Sequence, residues 1–195
     1  FGSFFEIGYS EIAWTTPPIL GLYGLLLSPG KGIVLYAPLV IVGAVSGLIF
    51  VRKHRYEAWL YLGLWISFLL FYSPYNFWTG GFNWGPRFLL PVLPLAILPI
   101  GSLIEDQSIR GTKWFVILFI LIGFFIQVPA VIVDHSRYLS SYVVESDSPG
   151  AYNQTIYDLS NSPIVRQWPV TIELIQAYRN PEIWEISRQE IWRML

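Results

Sequence analysis

Between Gly32 and Val133 the chain is built from four apolar runs separated by short polar breaks, and no other feature limits its fold as strongly. The runs are Gly32 to Val51, Glu57 to about Tyr75, about Phe88 to Leu103, and Trp114 to Val133. Each approaches the roughly 20 residues a helix needs to cross a hydrocarbon core. Backbone polar groups in lipid must be bonded within the protein, which makes such runs helical. Pro91, Pro94 and Pro99 break up the third run, and Gln127 and Pro129 lie near the end of the fourth. A proline costs ~3 kcal/mol in a helix interior, but membrane helices accept it where neighbours satisfy the freed carbonyls. The expected fold is all-α: a polytopic transmembrane helical bundle of about four spans.

Composition agrees. Apolar residues make up 54% of the 195 and charged residues 13%, about half the usual 25% or so. A net charge of −1 gives no footing for nucleic-acid binding. With no cysteine there is no disulfide, thiolate metal site or cysteine nucleophile. His54 and His135 fall in different segments, so no metal site is expected. The basic cluster Arg52, Lys53, His54 and Arg55 lies between the first two runs, and Arg110 and Lys113 lie between the last two. The positive-inside rule makes 52–55 and 104–113 cytoplasmic, with 76–87 and 134–195 outside.

The flanks read differently. Residues 1–31 form an outer or interfacial segment, 32–133 the bundle, and 134–195 an outer tail. Within the first segment, residues 12–29 are uncharged and long enough for a fifth span. Pro17-Pro18 and the glycines favour a short helix in the outer interface instead. Residues 145–163 read as loop, and Pro163 to Arg179 as a helix with an interruption at Pro169. Asn180-Pro181-Glu182 reads as the start of a last, Trp-bearing helix suited to a membrane surface or the outer face of the bundle. The chain opens at Phe1 without methionine or signal peptide, which reads as a piece of a longer polypeptide.

Chemistry is most concentrated in Trp78-Thr-Gly-Gly-Phe-Asn-Trp-Gly-Pro-Arg87. Arg87 stands where hydrocarbon meets water at the start of the third run. An arginine there is commonly an anchor that snorkels to headgroups. Gly80, Gly81 and Gly85 strip side-chain bulk from around it, and Trp78 and Trp84 add flat faces, which suits a lipid-linked phosphate. Lys31, in Ser28-Pro-Gly-Lys-Gly32, is an interfacial loop lysine by itself. Level with Arg87, it makes a phosphate or pyrophosphate site. Of the outer acids, Glu6 and Glu11 read as structural or acceptor-side contacts. Asp134 reads as a helix end salt-bridged to Arg137. Asn153-Gln-Thr155 matches a glycosylation acceptor, a triplet that also arises by chance.

These residues carry a resemblance. Phe1-Gly-Ser-Phe-Phe-Glu-Ile-Gly-Tyr9, Leu27-Ser-Pro-Gly-Lys-Gly32 with Tyr36-Ala-Pro38, Trp78-Thr-Gly-Gly81 with Gly85-Pro-Arg87, and Val133-Asp134 resemble multi-pass glycosyltransferases of the GT-C superfamily. The similarity is strongest to the prokaryotic branch related to protein mannosyltransferases. It implies inverting transfer of a sugar from a polyprenyl-phosphate carrier to an acceptor outside the cytoplasmic membrane of a bacterium, with the lipid-linked sugar as donor and no other cofactor. It also implies carrier-phosphate binding for Arg87 and Lys31, sugar or lipid contact for Trp78, Trp84 and the three glycines, and a catalytic acid upstream of Phe1. The expected partners are membrane lipid, the lipid-linked sugar, and other membrane subunits or the N-terminal part. A non-catalytic membrane subunit or scaffold is the competing expectation. A transporter is weaker, because its spans should carry buried charges and these hold almost none beyond Gln127.

Overall fold

The computed structural model describes residues 13–105, 111–145 and 150–179, and among these every regular element is helical. The order is α1 (Pro18–Leu27), α2 (Ile33–Tyr36), α3 (Leu39–Lys53), α4 (Arg55–Tyr72), α5 (Leu93–Ile97), α6 (Pro99–Glu105), α7 (Thr112–Ile132), α8 (His135–Glu145), α9 (Ala151–Tyr157) and α10 (Pro163–Arg179). Single 3-10 turns occupy Arg87–Leu89 and Leu159–Asn161. Glu6, Glu11, Arg110, the Phe1–Tyr9 stretch and the helix expected after Asn180 lie outside the described residues.

Helix α3 is the hub. It packs along α6 and also touches α4, α5 and α7. Its inner face is narrow and small, with Val42, Gly43, Ser46 and Gly47 buried, so neighbouring backbones approach closely. The Ser46 hydroxyl donates back to the Val42 carbonyl at 2.6 Å and leaves no polar group open on that face. A hydrophobic core gathers Leu25, Ile33, Trp65, Trp78, Leu89, Val92, Ala96 and Ile156.

Prolines reshape two of the apolar runs. The first run is not one helix: α2 stops at Tyr36, and α3 begins after Pro38. Ala37, placed before that proline, is held out of the α region at φ −138° and ψ 68°. The third run is not a regular α-helix either. From Arg87 to Gly101 the amides of Leu90, Val92, Leu93, Leu95, Leu98 and Gly101 each bond three residues back rather than four. Pro91, Pro94 and Pro99 supply no donor, and these three-back bonds carry the chain from the turn at Arg87–Leu89 through the junctions with the short helices α5 and α6. Prolines are also absorbed inside α7 and α10. Pro129 is buried in α7, and α10 runs unbroken through Pro169 where an interruption was expected.

Among the described residues, α7 is the one helix long and apolar enough to cross a membrane. Its 21 residues extend about 31 Å, and only 11% of its most apolar window is buried by the rest of the chain. In the 12–29 stretch, α1 holds ten residues, about 15 Å of helix and too short to span. The 145–163 stretch is not all loop, because α9 forms within it. Ala151, Thr155 and Ile156 are buried there, with Ile156 in the same core as Leu25 and Ile33. Tertiary packing overrides a polar local composition.

Candidate functional site: the glycine loop and its clasp

The segment between α4 and the 3-10 turn at Arg87 folds back over one end of the bundle. Its first half is stitched to the chain before α1. The amide of Asn76 donates to the Ala13 carbonyl at 2.9 Å, and Thr16 donates from its amide to Pro74 at 3.0 Å and from its hydroxyl to Tyr75 at 3.2 Å. Trp78 is 5% exposed, and its ring fills the space over Gly24 of α1, where a side chain of any size would overlap it. Trp78 is thus a core residue beneath the loop.

The second half needs glycine. Gly80, Gly81 and Gly85 sit at φ of 69°, 77° and 66°, the left-handed region that other residues seldom adopt. At Gly85 a Cβ would also press on the Tyr36 ring at 3.0 Å. Asn83 locks the turn from within, its side-chain amide donating to the Gly80 carbonyl and its backbone amide to Gly81 at 2.9 Å.

Lys31 reaches this turn from the opposite side of the fold. Its Nζ donates to the Gly81 carbonyl at 2.8 Å and to the Asn83 carbonyl at 2.5 Å, and the residue is 2% exposed. Burial pushes its pKa down to about 7. The Tyr152 hydroxyl, from α9, donates to the same Gly81 carbonyl at 3.0 Å, and burial raises its pKa. His135, at the start of α8, meets the Phe82 backbone, and its pKa is lowered chiefly by burial. The Trp84 ring lies edge-on to both Tyr36 and His135, at 5.1 and 6.0 Å between centroids. The Tyr36 hydroxyl and the Trp84 indole N–H are both buried with no hydrogen-bond partner. The Gln127 side-chain amide on α7 donates to the Tyr36 carbonyl at 2.8 Å, which ties the end of α7 into the cluster.

Arg87 differs from Lys31 in exposure. It lies on the outside of the loop with its Cβ beside Gly80, 3.4 Å from where a Cβ there would stand. Its guanidinium carbon is 5.8 Å from the Phe88 ring, which stacks on Tyr72 at 4.5 Å. Phe88 and Tyr72 give the cation an apolar seat and leave its donors outward. Arg87 opens a three-residue 3-10 turn rather than a long helix.

Asp134 is exposed and caps the start of α8, its Oδ1 accepting from the Ser136 amide at 3.0 Å and the Ser136 hydroxyl at 2.7 Å. The Asn153-Gln-Thr155 triplet lies inside α9 with Thr155 buried and bonded to the Tyr152 carbonyl. Among the described residues no group of three or more His, Asp or Glu could hold a metal ion. Loop and cation thus come together as the sequence suggests, but Lys31 is inside and Arg87 outside. Tyr36, Asn83, His135 and Tyr152 complete the cluster, none of them assigned a part in this site from the sequence. Of these only Asn83 left a local sign, as an Asn three residues after a glycine in a turn.

Comparison with protein-family models, curated proteins and solved structures returned no match.

Proposed function

We propose that the chain is part of an integral membrane glycosyltransferase that moves a sugar from a polyprenyl-phosphate carrier to an acceptor on the outer face of the membrane. The membrane setting is supported by the outward faces of α4 and α7. Trp59, Leu60, Leu121 and Phe124 are each more than half exposed. In water such a surface would aggregate, whereas lipid matches it. In this reading α2–α3, α4, the 87–105 segment and α7 all span, which makes the bundle polytopic. The basic residues at 52–55 then hold that end in the cytoplasm.

The observation that carries the function is the exposed guanidinium of Arg87 on a glycine-walled loop whose other cation is turned inward. In the transfer, the acceptor hydroxyl attacks the anomeric carbon as its bond to the phosphate oxygen breaks. The bonding electrons leave with the carrier phosphate, and the hydroxyl proton goes to a carboxylate outside the described residues. Arg87 neutralises the charge that grows on the departing phosphate, a bidentate task suited to its planar fork. A non-catalytic subunit retaining this fold is the second reading, favoured by the burial of Lys31 against backbone.

The test is Arg87→Ala in the full-length enzyme, reconstituted in proteoliposomes with a radiolabelled polyprenyl-phosphate hexose. Transfer falls on the order of 10²-fold or more, the range for losing one preorganised charge-stabilising group, while insertion is normal. Near-normal turnover would remove the assignment and leave the subunit reading.

A further inference from the structure

Three segments far apart in sequence meet behind the glycine loop. Gly30 donates its amide to the Ile156 carbonyl at 2.9 Å, which fixes the 28–32 turn to α9. The Ser28 hydroxyl donates to Gly24 of α1 at 2.7 Å and accepts from the Lys31 amide at 3.2 Å. The Lys31 backbone is therefore held on both sides before its side chain extends to Gly81 and Asn83. Two donors of different chemistry, the Lys31 ammonium and the Tyr152 hydroxyl, converge on the single Gly81 carbonyl. Burying a lysine is costly unless its protons are bonded, and here two carbonyls take them. A flexible glycine turn gains by the same bonds the rigidity that its own backbone lacks.

We propose that Lys31 is a positioning residue. With Tyr152 it clasps the 80–83 backbone from behind and fixes where Arg87 presents its guanidinium to a phosphate. The inference rests on the reading of Arg87 given above, but it changes the part Lys31 plays. A side chain 2% exposed with its ammonium on two backbone carbonyls does not reach a lipid phosphate in this fold. Its effect passes through the loop. Arg87 stands next to Gly80, so displacement of Gly80 and Gly81 moves the cation. Positioning to within about 0.5 Å is what separates an effective charge clamp from a loose one.

The experiment uses the full-length protein in lipid nanodiscs, with amide hydrogen exchange across residues 79–85 and binding of polyprenyl phosphate as readouts. Lys31→Met raises exchange in 79–85 about tenfold or more, as expected for losing the two hydrogen bonds that hold the turn, and leaves α7 unchanged. It weakens polyprenyl phosphate binding several-fold, yet in an Arg87→Ala background it weakens binding no further, because the two act in series. Unchanged exchange with weakened binding, or losses that multiply in the double variant, would make Lys31 a direct ligand and overturn the proposal. Should Lys31→Met fail to insert, Tyr152→Phe removes one hydroxyl only and gives a smaller rise in the same exchange; no rise there also overturns it. If Arg87→Ala binds polyprenyl phosphate like the wild type, the carrier reading falls, and the exchange result still decides the clasp.

Discussion

At the scale of single residues, Lys31 shows how burial redefines a charge. Its folded pKa is about 7 against an ordinary 10.5, so between those values the unfolded chain holds a proton that the folded chain has released. Stability therefore rises with pH across that window. His135 faces Lys31 and is also held below its ordinary value, but it adds its contribution below pH 6.5; Asp134 beside it opposes that lowering. Thermal unfolding in detergent between pH 7 and 9.5 is expected to show a rising Tm for the wild type and a flatter profile for Lys31→Met. An identical slope in both would mean that Lys31 does not titrate in that window. The sequence disclosed the residue types of this cluster but not their exposure. Arg87 and Lys31 look equivalent as isolated cations beside glycine. Only the reach of Lys31 across fifty residues to Gly81 separates them, and no local pattern encodes a contact of that range.

At the scale of elements, two glutamines on neighbouring helices make opposite predictions. Gln127 of α7 donates to the Tyr36 carbonyl and so joins α7 to α2. Gln167 of α10 is fully buried, and neither atom of its amide has a partner. Gln127→Leu is expected to cost about 1 kcal/mol, the net value of one such bond. Gln167→Met relieves an uncompensated amide and raises stability by about 1 kcal/mol or more. Detergent unfolding midpoints of the two variants check both signs, and a fall for Gln167→Met would point to a partner for that amide outside the described residues. Helical content was legible from apolar runs and sparse charge, and α7 follows its run almost to the residue. The prolines were legible as breaks, but their outcome was not. Pro91, Pro94 and Pro99 divide a run into a 3-10 turn and the two short helices α5 and α6, whereas Pro129 and Pro169 stay inside continuous helices. Neighbouring packing decides between those results. Helix α9 was illegible for the same reason, since its stability comes from Ile156 in the core rather than from its own polar sequence.

At the scale of the molecule, the arrangement has two ends. The contacts of Tyr36 with Trp84 and Gln127, and of Trp84 with His135, gather the start of α3, the end of α7 and the glycine loop at one end. Lys53 and Arg55 close α3 and open α4 at the opposite end, about 22 Å away along the 15 residues of α3. Helix α10 packs against α7, with Trp168 stacked on Phe125 at 4.1 Å. The tail is therefore in contact with the bundle through α10. In the proposed arrangement α3, α4 and α7 sit in a bilayer with the glycine loop outside and residues 52–55 inside. The 195 residues contain no cysteine, so within them a single introduced thiol reports only on its own position. The direct measurement is sided labelling of intact cells with a membrane-impermeant maleimide, using Phe82→Cys in the loop, Lys53→Cys at the far end and Phe124→Cys on the exposed face of α7. The proposed arrangement gives labelling of Phe82→Cys in intact cells, labelling of Lys53→Cys only after the membrane is opened, and no labelling of Phe124→Cys in either case. Ready labelling of Phe124→Cys, or equal labelling of Phe82→Cys and Lys53→Cys from one side, would contradict it.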